Sequence, residues 1–397
     1  MIQLSERLMA MEESATIAMS RKSRELKAEG KDIISLSLGE PDFHTPQFIK
    51  DAALDAMNNN FTLYTPVPGY DDLRESISEK FKRDNNLTYT KEQIVVSTGA
   101  KQSIANVVLS IIGPGDEVIV PAPYWVSYVE IVKVAEGTPV IINAGIENDF
   151  KINGAQLEAA ITPRTKMMVF STPCNPTGSV YTKEELKDLA AVLVKYPHIV
   201  VISDEIYEHI NFIGKHESLA QFPEIYNQVV TVNGVSKAWA MTGWRLGYIG
   251  APKLIADACT KVQGQFTSGT CSITQKAAIA AMKADPIVLK DMISAFNNRR
   301  KLVLAALDKI EGVHANVPVG AFYVFPDISA FFGKSYNGFK INNADDLCLY
   351  LLSEALVALV TGDAFGDANC IRISYAASEE TLTEAMSRIK IALEKLN

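Results

Sequence analysis

Between about Thr90 and Val262, short apolar, β-branched runs alternate with stretches of helical periodicity. That alternation restricts the chain to a mainly parallel sheet wrapped by helices. The strand candidates are Ile94–Ser97, Glu117–Pro121, Thr138–Asn143, Lys166–Ser171, Ile199–Asp204, Val229–Asn233 and Gly247–Ala251. Most are continuously apolar, as strands covered on both faces must be. Between two of them, Thr182–Lys195 carries Leu186, Leu189, Leu193 and Val194 near the 3.6-residue period of a helix.

From about Pro286 the pattern changes. A long helix (Val288–Ile310) precedes a strand-like Ala321–Phe325, a helix near Asp345–Ala355 and the strand Ile371–Tyr375, and a final helix places Leu382, Met386, Ile389 and Leu393 on one stripe. A chain of 397 residues suits about two domains. The expected division is a large domain over residues 46–285 and a smaller α/β domain built from 1–45 and 286–397, the first part contributing the helix Thr16–Ala28 and the run Ile33–Ser37. The net charge of −8 disfavours a nucleic-acid or anionic-membrane partner. No run approaches the ~20 apolar residues that span a bilayer. Met1–Arg21 lacks the apolar stretch of a signal peptide, so the expected compartment is the cytoplasm. Cys174, Cys259, Cys271, Cys348 and Cys370 are odd in number and lack C-x-x-C spacing, which points to reduced, mostly buried thiols and no metal site.

The chemistry gathers just after strand candidates. Ser236–Tyr248 sets Lys237 and Arg245 eight positions apart, a pairing that suits a carbonyl compound with a phosphate tail: an amine can hold an aldehyde, and a guanidinium can grip a phosphate. Asn175-Pro176-Thr177-Gly178 follows another strand and reads equally as a turn. Asp204 closes a wholly apolar strand, where it either caps the next segment or, buried, needs a cationic or hydrogen-bonding partner. Ser97-Thr98-Gly99-Ala100-Lys101 turns from a strand into the helix Gln102–Ile112, whose first N–H groups could meet an anion. Lys101 opposes that helix dipole, a cost an anion would offset. Trp125 is either a core aromatic or a platform for a flat heterocycle. Arg372 stands mid-strand among apolar neighbours, where an unpaired guanidinium is expensive. In open α/β sheets ligands collect at the carboxyl ends of the strands, so these groups converge on one edge.

Taken together, these residues resemble the class I aminotransferases, pyridoxal-phosphate enzymes of the aspartate aminotransferase fold (fold type I), and in particular their bacterial aspartate aminotransferase branch. The likeness runs from Ser14-Ala-Thr and Leu38-Gly-Glu-Pro-Asp-Phe through Tyr64-Thr-Pro-Val-Pro-Gly to Ile371-Arg-Ile-Ser-Tyr-Ala, with Ser-Lys-x-x-x-Met-x-Gly-Trp-Arg-x-Gly its most specific block. The resemblance implies a large domain with a mainly parallel seven-stranded sheet and pyridoxal 5'-phosphate held on Lys237 as a Schiff base. It further implies Asp204 on the pyridine nitrogen, Asn175 and Tyr207 on the phenolic oxygen, and Trp125 against the ring. Gly99, Ala100, Ser236 and Arg245 would bind the phosphate, and Tyr64 would reach the phosphate of a neighbouring subunit, so a homodimer with shared sites follows. Gly39 and Arg372 would take the substrate's α-carboxylate, alongside Trp125 and Asn175, and Lys101 its distal carboxylate. The expected reaction transfers an amino group from aspartate to 2-oxoglutarate by a ping-pong route, with aromatic or alanine transamination or β-elimination as the alternatives within the fold. A departure at Met11-Glu12-Glu13, where many relatives carry Lys-Pro, bears on prephenate use, for which some relatives employ a lysine there.

Overall fold

The computed structural model describes residues 2–9 and 11–397; Met1 and Ala10, part of the N-terminal stretch read above, lie outside them. After a short strand β1 (Ile34–Ser35) come β2 (Ile94–Ser97), β3 (Glu117–Ala122), β4 (Thr138–Asn143), β5 (Thr165–Ser171), β6 (Val200–Asp204), β7 (Val229–Gly234) and β8 (Gly247–Gly250). Strands β2 to β8 form one seven-stranded sheet in the order β2-β8-β7-β6-β5-β3-β4. Each lies within one residue, at either end, of the range expected from the sequence.

The continuous apolar runs have a physical reason. Successive side chains point to opposite faces, and both faces are covered: Val96, Ile119, Met168 and Val201 enter one core, while Val95, Val118, Val169 and Ile202 enter another. The edge strand β4 departs furthest from this, with Thr138 and Ile141 exposed. It also carries Pro139, which an edge tolerates.

Strand β8 alone is antiparallel to both of its neighbours. This reversal matters for the site. Strands β2, β3, β5, β6 and β7 end at the edge where β8 begins, with Gly247 opposite Ser97 on one side and Gly234 on the other. Residues that follow the parallel strands therefore meet residues that precede β8.

The C-terminal part holds β9 (Tyr323–Val324), the hairpin β10 (Ser335–Tyr336) and β11 (Phe339–Lys340), β12 (Val357–Ala358), β13 (Val360–Thr361) and β14 (Ile371–Ser374). Strands β13, β14 and β9 make an antiparallel sheet in that order, and β12 pairs in parallel with β1. Helices Lys290–Leu307 and Glu379–Leu393 pack together, the second capped by the Ser378 hydroxyl accepting from the Thr381 N–H.

Three expectations shift here. The long helix begins at Lys290, because Asp285 and Pro286 first build a 3-10 turn over Pro286–Leu289. The expected strand Ala321–Phe325 pairs only over Tyr323–Val324, since Ala321 sits at φ 56° and breaks the extended run. The helix near Asp345–Ala355 is α-helical over Ala344–Tyr350 and continues as a wider π turn to Ala355. Among the described residues no helix is long and apolar enough to cross a membrane. The five thiols are free, four buried and Cys271 exposed.

Candidate active site

At the shared sheet edge lies a cavity of about 270 Å³, lined by Lys237, Asp204, Tyr207, Asn175 and Trp125 from the sheet's loops together with Gly39 and Arg372 from outside it. Ala100, Lys101, Ser236 and Arg245 complete the sequence-derived set on its wall. Gly99 stands just behind, against the Arg245 guanidinium. Tyr64 does not join them: it is fully exposed on the surface of this chain.

Lys237 reaches the cavity because β7 ends at Gly234 and the chain turns over Ser236–Met241. Its Nζ donates to the Gly39 carbonyl at 2.6 Å and lies 5.7 Å from the centre of the Tyr207 ring. Burial drives its ammonium down to about 8; the Arg372 charge adds to the effect, and the Glu40 and Asp204 carboxylates oppose it. About a tenth of the side chain is thus a neutral, nucleophilic amine at pH 7, far more than for an ordinary surface lysine.

Asp204 is the last residue of β6 and is buried. Its carboxylate accepts from the Tyr128 hydroxyl at 2.7 Å and the Ile206 N–H at 3.2 Å. Burial raises its pKa to about 6 despite those bonds. Among the described residues it has no ion-pair partner within 4.0 Å, so a cation entering the cavity would be met by an unneutralised carboxylate.

Anions are provided for at two further places. Gly99, at φ +90°, caps the helix Ala100–Ile111, and a Cβ there would come within 2.5 Å of Arg245. Gly247 is equally constrained, because a Cβ would overlap the Ala100 backbone nitrogen. These two glycines let a helix N-terminus and the Arg245 guanidinium approach one another, which makes a phosphate-sized anion cradle. Arg245 itself holds φ 55° and donates to the Thr242 carbonyl at 2.9 Å.

On the opposite wall Arg372 is almost wholly buried, donating to Asn175 Oδ1 at 2.9 Å and to the Ser37 carbonyl at 2.5 Å. Its Nε has no partner, and no carboxylate pairs with it among the described residues. A buried guanidinium without a counter-ion is costly unless an anionic ligand supplies one. Lys101 sits at the mouth with its Nζ 4.9 Å from the Trp125 ring.

The sequence reading omitted two residues that bear on the cavity. Tyr128 follows Trp125 at a helical spacing of three and hydrogen-bonds Asp204, a signal that periodicity could have supplied. Tyr323 sits in a two-residue strand and meets Tyr207 across 116 positions, a contact that local pattern does not announce.

A family model described as aminotransferase class I and II matches residues 31–389. A bifunctional aspartate aminotransferase and glutamate/aspartate-prephenate aminotransferase of Petunia hybrida is 48% identical over 99% of this chain and 83% of its own length. An aspartate/prephenate aminotransferase of Nitrosomonas europaea is 48% identical over 98% of this chain and 99% of its own. Among solved structures, the aspartate aminotransferase of Rhizobium meliloti superposes with a TM-score of 0.96 at 42% identity, covering 100% of both chains. That of Thermus thermophilus with maleate gives 0.93 at 40%, covering 99% of this chain and 100% of that one.

Proposed function

Because this chain belongs to the class I and II aminotransferases, which work with pyridoxal 5'-phosphate, we propose that it moves the amino group of L-aspartate to 2-oxoglutarate. The observation that carries the reading is the Lys237 amine, softened by burial, in one cavity with an unpaired Asp204 carboxylate and an Arg372 guanidinium that lacks a counter-ion.

The residues fit the cofactor. Lys237 would bind its aldehyde, Asp204 its ring nitrogen, Asn175 and Tyr207 its phenolic oxygen and Trp125 its ring face. Gly99, Ala100, Ser236 and Arg245 would hold its phosphate. When bound, pyridoxal phosphate supplies an electron-withdrawing ring over which negative charge at the substrate Cα is spread. Asp204 would hold a proton on the ring nitrogen, and the positive charge there would keep Asp204 ionised against the effect of burial. Lys237, as a free amine beside the seated substrate, would take the proton from Cα. Arg372, Gly39 and Asn175 fix the α-carboxylate so that this proton faces Lys237. Lys101 receives the distal carboxylate and sets the preference for dicarboxylic substrates. Two half-reactions share these groups, so kinetics are ping-pong.

We place the division between the domains near residues 45 and 285, with the N-terminal segment joined to the small domain. The β1 and β12 pairing and the Arg372 bond to Ser37 support that grouping. Closure of the small domain, which carries Arg372, over the cavity would exclude water. For prephenate, Glu12 and Glu13 line a chamber that Lys101 also borders, and carboxylates there weaken the hold on a second anionic group. The chain works as a homodimer in the cytoplasm. Leu63, next to Tyr64 in sequence, is 79% exposed, and Leu254 and Phe266 are 83% and 71% exposed, the kind of apolar surface a partner covers.

The test is spectroscopic. Purified enzyme should show the long-wavelength band of a lysine-bound aldehyde, lose it on titration with aspartate and regain it with 2-oxoglutarate. Lys237→Ala should never form that band; a variant with an unchanged band would remove the assignment.

A further inference from the structure

Tyr323 belongs to no motif and receives no role in the reaction described above, yet it touches three parts of the cavity. Its hydroxyl lies 2.8 Å from the Tyr207 hydroxyl. Its ring carries the Arg372 guanidinium 4.7 Å from the ring centre. Its hydroxyl also fills the space where a Cβ on Gly39 would stand. Both phenols are buried, Tyr323 completely.

The two hydroxyls share one hydrogen bond, and neither has another partner among the described residues. Two O–H groups in one bond leave one hydrogen over. The choice of donor decides which phenol aims that hydrogen into the cavity, and Arg372 makes the choice. Burial raises both phenols and the Arg372 charge lowers both, but the guanidinium lies directly over the Tyr323 ring, 4.7 Å from its centre, and makes no such contact with the Tyr207 ring among the described residues. The more acidic phenol donates. Tyr323 therefore gives its hydrogen to Tyr207, and the Tyr207 hydrogen is left for the site.

We propose that Tyr323 is a positioning residue: by donating to the Tyr207 oxygen it strengthens Tyr207 as a donor, and through its ring contact with Arg372 it links the arrival of a substrate carboxylate to that donor strength. A carboxylate on Arg372 offsets the guanidinium charge, Tyr323 becomes a weaker donor, and Tyr207 loosens its hold on the oxygen it faces. Hydrogen bonds in series polarise one another, so a change at one end is felt at the other. The loosening comes when the substrate is seated and the amino group has to change partners. The inference rests on the aminotransferase reading, in which Tyr207 faces the phenolic oxygen of the cofactor.

The experiment follows the pH titration of the lysine-bound cofactor's absorbance in the wild-type holoenzyme and in Tyr323→Phe, with and without succinate, a dicarboxylate that has no amine. Phenylalanine keeps the ring under Arg372 and removes only the hydroxyl. The variant's apparent pKa should rise by about half a unit without ligand, the scale of one neutral hydrogen bond. Its further shift on adding succinate should be smaller than that of the wild type. For aspartate, kcat should fall by roughly 10-fold with KM changed less than about 3-fold, because the guanidinium keeps its ring contact. In a Tyr207→Phe background, replacing Tyr323 should change neither the titration nor its response to succinate. An unchanged pKa and an unchanged succinate response in Tyr323→Phe would overturn the inference while the enzyme stayed an aminotransferase. A wild-type protein with no lysine-bound absorbance at all would instead overturn the functional reading beneath it.

Discussion

Lys237 and Asp204 show how burial prepares two ionisable groups for opposite tasks. The amine is pushed down to about 8 and the carboxyl up to about 6, each toward neutrality, because the cavity penalises charge of either sign. For Lys237 the sign is direct. Only the neutral amine attacks an aldehyde, so the rate at which the cofactor-free protein captures pyridoxal should climb with pH through a midpoint near 8 and then level off. A midpoint above 10, read by stopped-flow absorbance, would mean that the amine is solvated as on an ordinary surface. At the mouth of the cavity, Lys101 provides a point charge where it lies over Trp125. Lys101→Ala should lower kcat/KM for aspartate by at least ~30-fold and for alanine by less than ~3-fold, a difference near 1.4 kcal/mol for each tenfold ratio. Equal losses for the two amino acids would show that Lys101 does not read the distal carboxylate.

The antiparallel strand β8 is the element on which the anion cradle depends, since only its reversal brings Arg245 to the edge where the parallel strands end. Gly247 is the tight point of that arrangement. A methyl group there collides with the Ala100 backbone, so Gly247→Ala must push the helix N-terminus away from Arg245 or bend β8. Overpacking of this kind costs about 1–3 kcal/mol. The variant should unfold at a lower temperature and should also lose affinity for pyridoxal phosphate far more than for pyridoxal, which has no phosphate; parallel losses for both aldehydes would place the damage in general packing. The elements themselves were legible in the sequence to the extent that burial was uniform. Strands β2, β3 and β5 to β8 are covered on both faces, so their apolar runs announce them. In the C-terminal part, strands β9 and β12 have only two residues each and are defined by partners far along the chain, which no local run can signal. The same limit hid Tyr323, whereas Lys237, Asn175 and Asp204 were legible because each follows or closes an apolar strand. Tyr64 marks the other boundary: the resemblance gave it a part in the site, but within one chain it is surface.

At the scale of the whole molecule, that exposed tyrosine becomes an argument about assembly. A fully exposed aromatic beside a 79% exposed Leu63 is poorly placed in a monomer, while in a two-fold dimer one patch meets its own copy and each subunit can lend a residue to its partner. If Tyr64 serves the partner's site, then two inactive proteins can repair one another. Tyr64→Ala has an intact Lys237 but lends a truncated residue; Lys237→Ala lacks the amine but lends an intact Tyr64. In a mixed dimer the Lys237 of the first variant receives the Tyr64 of the second, giving one complete site and one doubly defective site. Unfolding and refolding the two together in equal amounts pairs half of the chains as mixed dimers, so about a quarter of wild-type activity should return, from random pairing. Each variant refolded alone should stay at its own low level, and the mixture should sediment as a dimer. A mixture no more active than the average of its two components would mean that every site is built from a single chain, and that the exposed Leu63 and Tyr64 surface serves some other contact.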